Sequence, residues 1–221
     1  QSTHWIRSVA FDPTTSRYLI SGGDEQIVRL WDRKEGRSLK QLAQHEHRIG
    51  SVAYSPKRKI VASGSDDQTV IIYDVDTEEK LHTFVNADLG IKAVAFSPDG
   101  RYVAAGGDDQ LVYVWDLEMP DPGKHCLVLH PQDYTGIAGG IRSVAFSPDG
   151  KSVISGGLDE MIRIGHLGSM EHKYQQVMKP VISRDRPYEK IEIEEVKGLS
   201  DLQVANLMTL GAVSKKTSLL L

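Results

Sequence analysis

The sequence holds one cysteine, Cys126, so no internal disulfide can form. A lone thiol suits a reducing compartment, and a cytoplasmic location is the expectation. No apolar run approaches the roughly 20 residues that a bilayer span needs, and no signal-type stretch follows Gln1. No membrane is therefore expected as a partner. A basic surplus is also missing: 26 Lys and Arg stand against 30 Asp and Glu, a net charge of −4 over 221 residues. Nucleic-acid binders usually carry the opposite imbalance, so nucleic acid is not expected either. With 40% apolar, 25% charged and 7% aromatic residues, the composition excludes disordered, collagen-like and disulfide-scaffold classes. The length is ample for a buried core. An initial Met is lacking too, and the chain is expected to be part of something longer.

What the sequence has in abundance is internal repetition. The segment Ile6–Pro13 (IRSVAFDP) returns as Ile49–Pro56, Ile91–Gly100 and Ile141–Gly150, at offsets of 43, 42 and 50 residues. A second signature follows each copy: Ser21–Asp32 (SGGDEQIVRLWD), Ser63–Asp74, Ala105–Asp116 and Ser155–His166. Each unit opens with a β-branched and aromatic run such as SVAF, closed by a Pro-Asp-Gly type turn. A second run, Tyr18–Ser21 in the first unit, ends at Gly-Gly-Asp or Gly-Ser-Asp. A third alternates, as in Ile27–Trp31, with Arg29 set away from its neighbours' face. A weaker fourth follows at Leu39–Leu42, Leu81–Val85 and Leu127–Leu129. Four short antiparallel strands in each repeat predict an all-β fold, the blades of a β-propeller. The blades are expected over 1–43, 44–86, 87–136 and 137–178, so that repeats occupy 1–178. The long third interval places an insertion near Met119–Gly140. The glycine pairs Gly22-Gly23, Gly106-Gly107 and Gly156-Gly157 are read as turn residues; none opens a helix as a phosphate loop would.

The Trp31-Asp32 and Trp115-Asp116 dipeptides, the SPDG turns and the SGSDD segment resemble the WD-repeat (WD40) family over about residues 1–178. Some of its marks are altered: Tyr73 replaces Trp in blade 2, and Gly165-His166 stands for Trp-Asp in blade 4. The resemblance implies a hydrogen-bonded set of His45, Ser63 and Asp67, with Tyr73 in the aromatic place, that ties loops to strands. A Ser, His and Asp also suggest a hydrolase, the least favoured reading, because the Ser and Asp positions recur in other repeats and serve the blade rather than one site. Blades 1, 3 and 4 lack the histidine and are expected to be held less tightly. His45 and His47 share a loop without a Cys or carboxylate pair at ligand spacing, so neither a metal nor a cofactor is expected.

The resemblance also implies which residues line the mouth of the central channel. The position after each first-strand Ile gives Arg7, Gly50, Lys92 and Arg142; the position before each second-turn acid gives Asp24, Asp66, Asp108 and Leu158. Three cations and three carboxylates interleaved there either pair with one another in solvent or form a docking ring for a peptide or loop of another protein. Trp5 is a candidate aromatic anchor and Tyr134, in the insertion, a candidate loop contact.

Residues 179–221 follow a different pattern, with a helix expected over about 200–210, capped by Ser200 and ended by Gly211. The stretch RPYEKIEIEEVKGLSDLQVANLMTLGAV resembles the end module of bacterial repeat-containing NTPase signalling proteins. The function expected is therefore a non-catalytic scaffold binding proteins through the rim. The alternative is a sensor segment of a larger bacterial NTPase. Seven blades are usual for the family, so four are expected to form an open or incomplete propeller, completed by missing sequence or another subunit.

Overall fold

A computed structural model describes residues 4–131, 139–167 and 176–182. The tail beyond Ile182, with its expected helix, and Tyr134 lie outside the described residues.

Blade 1 holds β1 (Ile6–Phe11), β2 (Tyr18–Gly23), β3 (Ile27–Asp32) and β4 (Arg37–Gln44), and blade 2 holds β5 (Ile49–Tyr54), β6 (Ile60–Ser65), β7 (Val70–Asp74) and β8 (Lys80–Phe84). Blade 3 holds β9 (Ile91–Phe96), β10 (Tyr102–Gly107), β11 (Val112–Asp116) and β12 (Cys126–Pro131), with a short 3₁₀ turn at Pro122–Lys124 inside the insertion. Blade 4 holds β13 (Ile141–Phe146), β14 (Ser152–Gly157), β15 (Ile162–His166) and β16 (Gln176–Ile182), the last running beyond the expected end of the repeats at 178. The first three strands of every blade pair as an antiparallel meander.

The repeated turn residues act by definite local bonds. In the SPDG turn, Ser97 Oγ accepts the Tyr102 amide at 2.8 Å while Gly100 takes φ 73. The Asp closing the third strand caps the turn that follows: Asp32 accepts the amides of Lys34 (2.8 Å) and Glu35 (3.1 Å), and Asp74 those of Asp76 (2.9 Å) and Thr77 (2.8 Å). Such side-chain acceptors replace backbone partners that a tight turn cannot supply.

One reading of the turns needs correction. The glycine pairs lie at strand ends, and the left-handed turn positions belong to Gln26, Gln68, Gln110 and Glu160, at φ 68, 72, 68 and 61. The first glycine of two pairs, Gly22 and Gly106, is there for close approach. A Cβ on Gly22 would lie 2.7 Å from Ile49 Cγ2 of the next blade, and one on Gly106 would lie 2.7 Å from Ile141 Cγ2.

Blades stack by burying one face on the next, because a lone four-stranded sheet leaves both faces wet. β1 packs on β5, β5 on β9 and β9 on β13. Ile20, Val28 and Leu30 of blade 1 meet Ile49, Val52 and Val61 of blade 2. Ala62, Val70 and Ile72 meet Ile91, Val94 and Val103, and Ala104, Val112 and Val114 meet Ile141, Val144 and Val153. Each buried Val or Ile side chain contributes about 1.5–3 kcal/mol. Among the described residues no comparable packing joins β13 back to β1.

Blades 3 and 4 are also joined edge to edge, which the repeat pattern did not lead us to expect. β16 lies between β15 and β12 and runs parallel to β12, pairing Leu129 with Gln176 and Pro131 with Met178. Gly165, in the place of the repeat tryptophan, explains the fit: a Cβ there would lie 2.8 Å from Leu129 Cδ1 and 3.2 Å from Met178 Cγ. Leu129 and Met178 are fully buried in the space a tryptophan would fill.

Candidate functional site

The first strands carry one irregularity in common. The register of β1 against β2 shifts between Ile6 and Ser8, that of β5 against β6 between Ile49 and Ser51, and that of β13 against β14 between Ile141 and Ser143. β9 against β10 shifts likewise where Ile91 faces Gly107 and Ala93 faces Gly106. The extra residue in each bulge is Arg7, Gly50, Lys92 or Arg142. A bulge leaves its residue out of the ladder and re-aims its side chain. Here it turns the same position of four blades toward one place.

That place is an open cavity of about 370 Å³ lined by Arg7, Arg48, Gly50, Asp66, Lys92, Asp108 and Arg142. A continuous ionic chain runs through it. Arg48 pairs with Asp66, and Lys92 binds Asp66 on one side and Asp108 at 3.1 Å on the other. Arg142 closes the chain on Asp108 at 2.7 Å. Arg7 pairs with Asp24 beside it. Hydrogen bonding from Arg7 holds the Asp24 carboxyl below the usual carboxylate range. Burial works to raise Asp108, but hydrogen bonds from Arg142 and Lys92 outweigh it, and its carboxyl is also held low. Both of these lowered carboxyls, Asp24 and Asp108, stay charged near neutral pH.

Arg48 was not among the expected rim residues. Blade 2 has Gly50 at its bulge, with no side chain to offer, and Arg48, two residues earlier, reaches Asp66 instead. The cue was available: an arginine stands next to the one repeat whose bulge position is empty. Trp5 is largely exposed and sits beside the Arg7 guanidinium, whose carbon lies 5.7 Å from the ring centroid. Leu158, in the fourth turn, is exposed and adds no charge.

The second constellation is the His45 set in blade 2. His45 Nδ1 lies 2.8 Å from Asp67 Oδ2, and Nε2 lies 2.8 Å from Ser63 Oγ. Burial keeps the imidazole neutral by lowering its pKa, against the pull of Asp67. The neutral ring donates from Nδ1 to the carboxylate and accepts the Ser63 hydroxyl proton at Nε2. Burial works to raise Asp67, but Thr69, the Glu46 amide and His45 together hold it low. Ser63 and His45 are 2% and 3% exposed, so the hydroxyl has no path to a substrate. The set is a strut. Tyr73 does not join it: among the described residues its hydroxyl has no hydrogen bond, and the ring packs at the edge of the core between blades 1 and 2.

The blades without the histidine hold their turn acids by other means. Arg29, on the face away from Val28 and Leu30, binds Glu25, Nε to Oε2 at 2.9 Å. Tyr113 donates to Asp109 at 2.9 Å, and Arg163 Nη1 meets Asp159 at 2.5 Å. In each case the partner lies four residues after the acid, across the same turn. The tryptophan indoles also find acceptors, Trp31 on Ser21 Oγ at 2.8 Å and Trp115 on Asn86 Oδ1 at 3.2 Å.

Among the described residues no three His, Cys, Asp or Glu side chains gather as a metal would require, and no helix is long and apolar enough to cross a membrane. Burial pushes the Cys126 thiol up to about 12, which leaves little of the reactive thiolate.

Four-stranded blades stacked through their first strands, with bulge residues gathered at one mouth, define a β-propeller repeat protein, a class of interaction scaffold. The WD domain, G-beta repeat family matches residues 1–32, 36–74, 78–116 and 129–164, and the chain belongs to that family. It is similar to nuclear distribution protein PAC1-1 of Uncinocarpus reesii, 36% identical over 55 residues, covering 24% of this chain and 12% of that protein. It is also similar to nuclear distribution protein PAC1 of Yarrowia lipolytica, 35% identical over 54 residues with the same coverage. The matches thus span about an eighth of those relatives' length.

Proposed function

We propose that this chain is a non-catalytic scaffold that holds a segment of a partner protein at the mouth lined by Arg7, Arg48, Lys92 and Arg142. The observation that carries the proposal is the ionic chain Arg48–Asp66–Lys92–Asp108–Arg142, built by three blades around one cavity. Its charge balance gives the partner's chemistry. Four cations, Arg7, Arg48, Lys92 and Arg142, stand against the three carboxylates Asp24, Asp66 and Asp108, and Arg48 is 51% exposed against 18% for Asp66. An acidic loop or peptide fits such a surface, and Trp5 beside Arg7 offers an apolar ledge at its edge. Ser63 is buried and burial raises the Cys126 thiol, which supports binding rather than turnover. A cytoplasmic setting accords with the lone free thiol.

The test is affinity capture with wild type and with Arg48→Glu and Arg142→Glu combined. Capture of a protein by the wild type that the double variant loses supports the reading, provided both chains melt alike. Equal recovery by the two removes the rim from the account.

A further inference from the structure

Three blade-to-blade joints in this molecule share one construction. The first strand of the later blade presents an Ile and a Val, and the second strand of the earlier blade presents a glycine that leaves room for them. A Cβ on Gly22 would lie 2.7 Å from Ile49 and 2.8 Å from Val52, and Gly64 faces Ile91 and Val94 in the same way. Gly106 faces Ile141 at 2.7 Å and Val144 at 3.1 Å. A polar latch accompanies two of these joints. Ser8 Oγ accepts the Val52 amide at 3.0 Å, and Ser51 Oγ accepts the Val94 amide at 3.2 Å.

The two ends of the stack each carry half of this joint. On blade 4, a Cβ on Gly156 would meet nothing within 4 Å. Around that socket lie Ile154 and Ile162, about 40% exposed, whereas their counterparts Ile20 and Val28 in blade 1 are fully buried. Ser143, in the latch position, is exposed, and its hydroxyl has no hydrogen-bond partner among the described residues. On blade 1, Ile6 and Val9 are 63% and 62% exposed, against 0% and 5% for Ile49 and Val52 at the same positions of blade 2. A socket without a plug faces outward at one end, and a plug without a socket at the other.

We propose that a second copy of this chain completes both joints, with Ile6 and Val9 of each copy seated over Gly156 of the other and Ser143 accepting the Val9 amide. The occupant is chosen by the repeat itself, since the missing plug is a first strand with Ile and Val at this spacing, and among the described residues β1 is the first strand left uncovered. Two copies joined head to tail close on themselves around a two-fold axis. Eight blades result, within the range of roughly four to eight that propellers adopt. The fourth joint lacks the ionic rung of the second and third, because Leu158 replaces the carboxylate that Asp66 and Asp108 provide. It therefore depends on apolar burial and the serine latch.

Sedimentation equilibrium of the 221-residue chain tests this. Wild type is expected at twice the chain mass. Gly156→Val fills the socket at a position with no neighbour to disturb, and Val9→Asp spoils an exposed plug, so both are expected to fold with unchanged melting. Each alone is expected to raise the dissociation constant at least about tenfold, because both joints of the ring then carry a lesion. An equimolar mixture of the two variants regains one intact joint and is expected to form a heterodimer. A wild type that stays monomeric at every concentration, whether its plug is met by its own blade 4 or by blades of a longer chain, overturns the proposal. So does a Gly156→Val chain that associates like wild type, or a mixture that recovers no dimer.

Discussion

The two ends of the strands use charge differently. At the end away from the mouth, ion pairs close a single blade: Arg17 meets Asp32 at 2.8 Å and Arg101 meets Asp116 at 2.6 Å, each linking the first and third turns of its own repeat. The carboxylates there are buried and also cap backbone amides. At the mouth, Lys92 of blade 3 reaches Asp66 of blade 2, and Arg142 of blade 4 reaches Asp108 of blade 3. Arg58 and Glu118 do cross between blades at the far end, at 3.0 Å, but both are exposed. Far-end pairs shape the turns within a repeat, whereas mouth pairs link one blade to the next and, on the function proposed above, are the ones for which another protein competes.

This difference predicts that far-end changes act on stability and mouth changes on binding. Asp116→Ala is expected to have the largest effect, about 2–3 kcal/mol of stability, because it strands the Glu118 amide and the Arg101 guanidinium together. Denaturant melts measure the loss, and partner capture should be unchanged. His45→Ala removes the strut from blade 2 and leaves Asp67 and Ser63 short of a buried partner, at a cost of about 2 kcal/mol.

The strut also has a pH signature. His45 is held below its ordinary 6.5, so the unfolded chain takes the proton first as pH falls. Its contribution is full above 6.5 and shrinks as pH drops toward the folded value. Asp67, held below 3.8, adds a loss of the same sign at more acid pH. Asp109, raised by burial, works the other way: its contribution is full below 3.8 and is lost as pH rises through its folded value. Melting between about pH 7 and about pH 5 should therefore decline less steeply in His45→Ala than in wild type. An equal slope would remove the histidine from the acid response.

At the mouth the expected stability changes are small. Lys92→Met leaves Asp66 and Asp108 without their shared cation and is expected to cost about 1 kcal/mol. Arg142→Ala, at an exposed pair, is expected to cost under about 0.5 kcal/mol in the same melts. A larger loss in either would mean that the mouth charges hold the blades rather than face a partner.

Much of the fold was legible because periodicity survives substitution. First-strand starts at Ile6, Ile49, Ile91 and Ile141 follow directly from the repeat, and the bulge positions fall one residue later. The bulges themselves leave no mark in the hydrophobic pattern, so the reason why Arg7, Lys92 and Arg142 converge appears only in the ladder register. Arg48 was readable from the empty bulge position at Gly50, although it belongs to a different position of the repeat from Arg7, Lys92 and Arg142. The Arg29, Tyr113 and Arg163 substitutes for histidine were readable in principle, as a donor four residues after an acid. The pairing of β12 with β16 was not, since it depends on a tryptophan lost at Gly165 and on an edge contact that no local signal encodes.

The most direct test of the mouth as a binding surface is titration of a synthetic Asp- and Glu-rich peptide into three chains at low and high salt. These are wild type, Arg48→Glu with Arg142→Glu, and Arg17→Glu with Arg101→Glu. The mouth variant is expected to bind at least about tenfold more weakly than wild type at low salt, with the difference fading as salt rises. The far-end variant is expected to bind within about twofold of wild type at the same concentration. Equal loss in both variants, or none in either, would contradict the assignment of binding to the mouth.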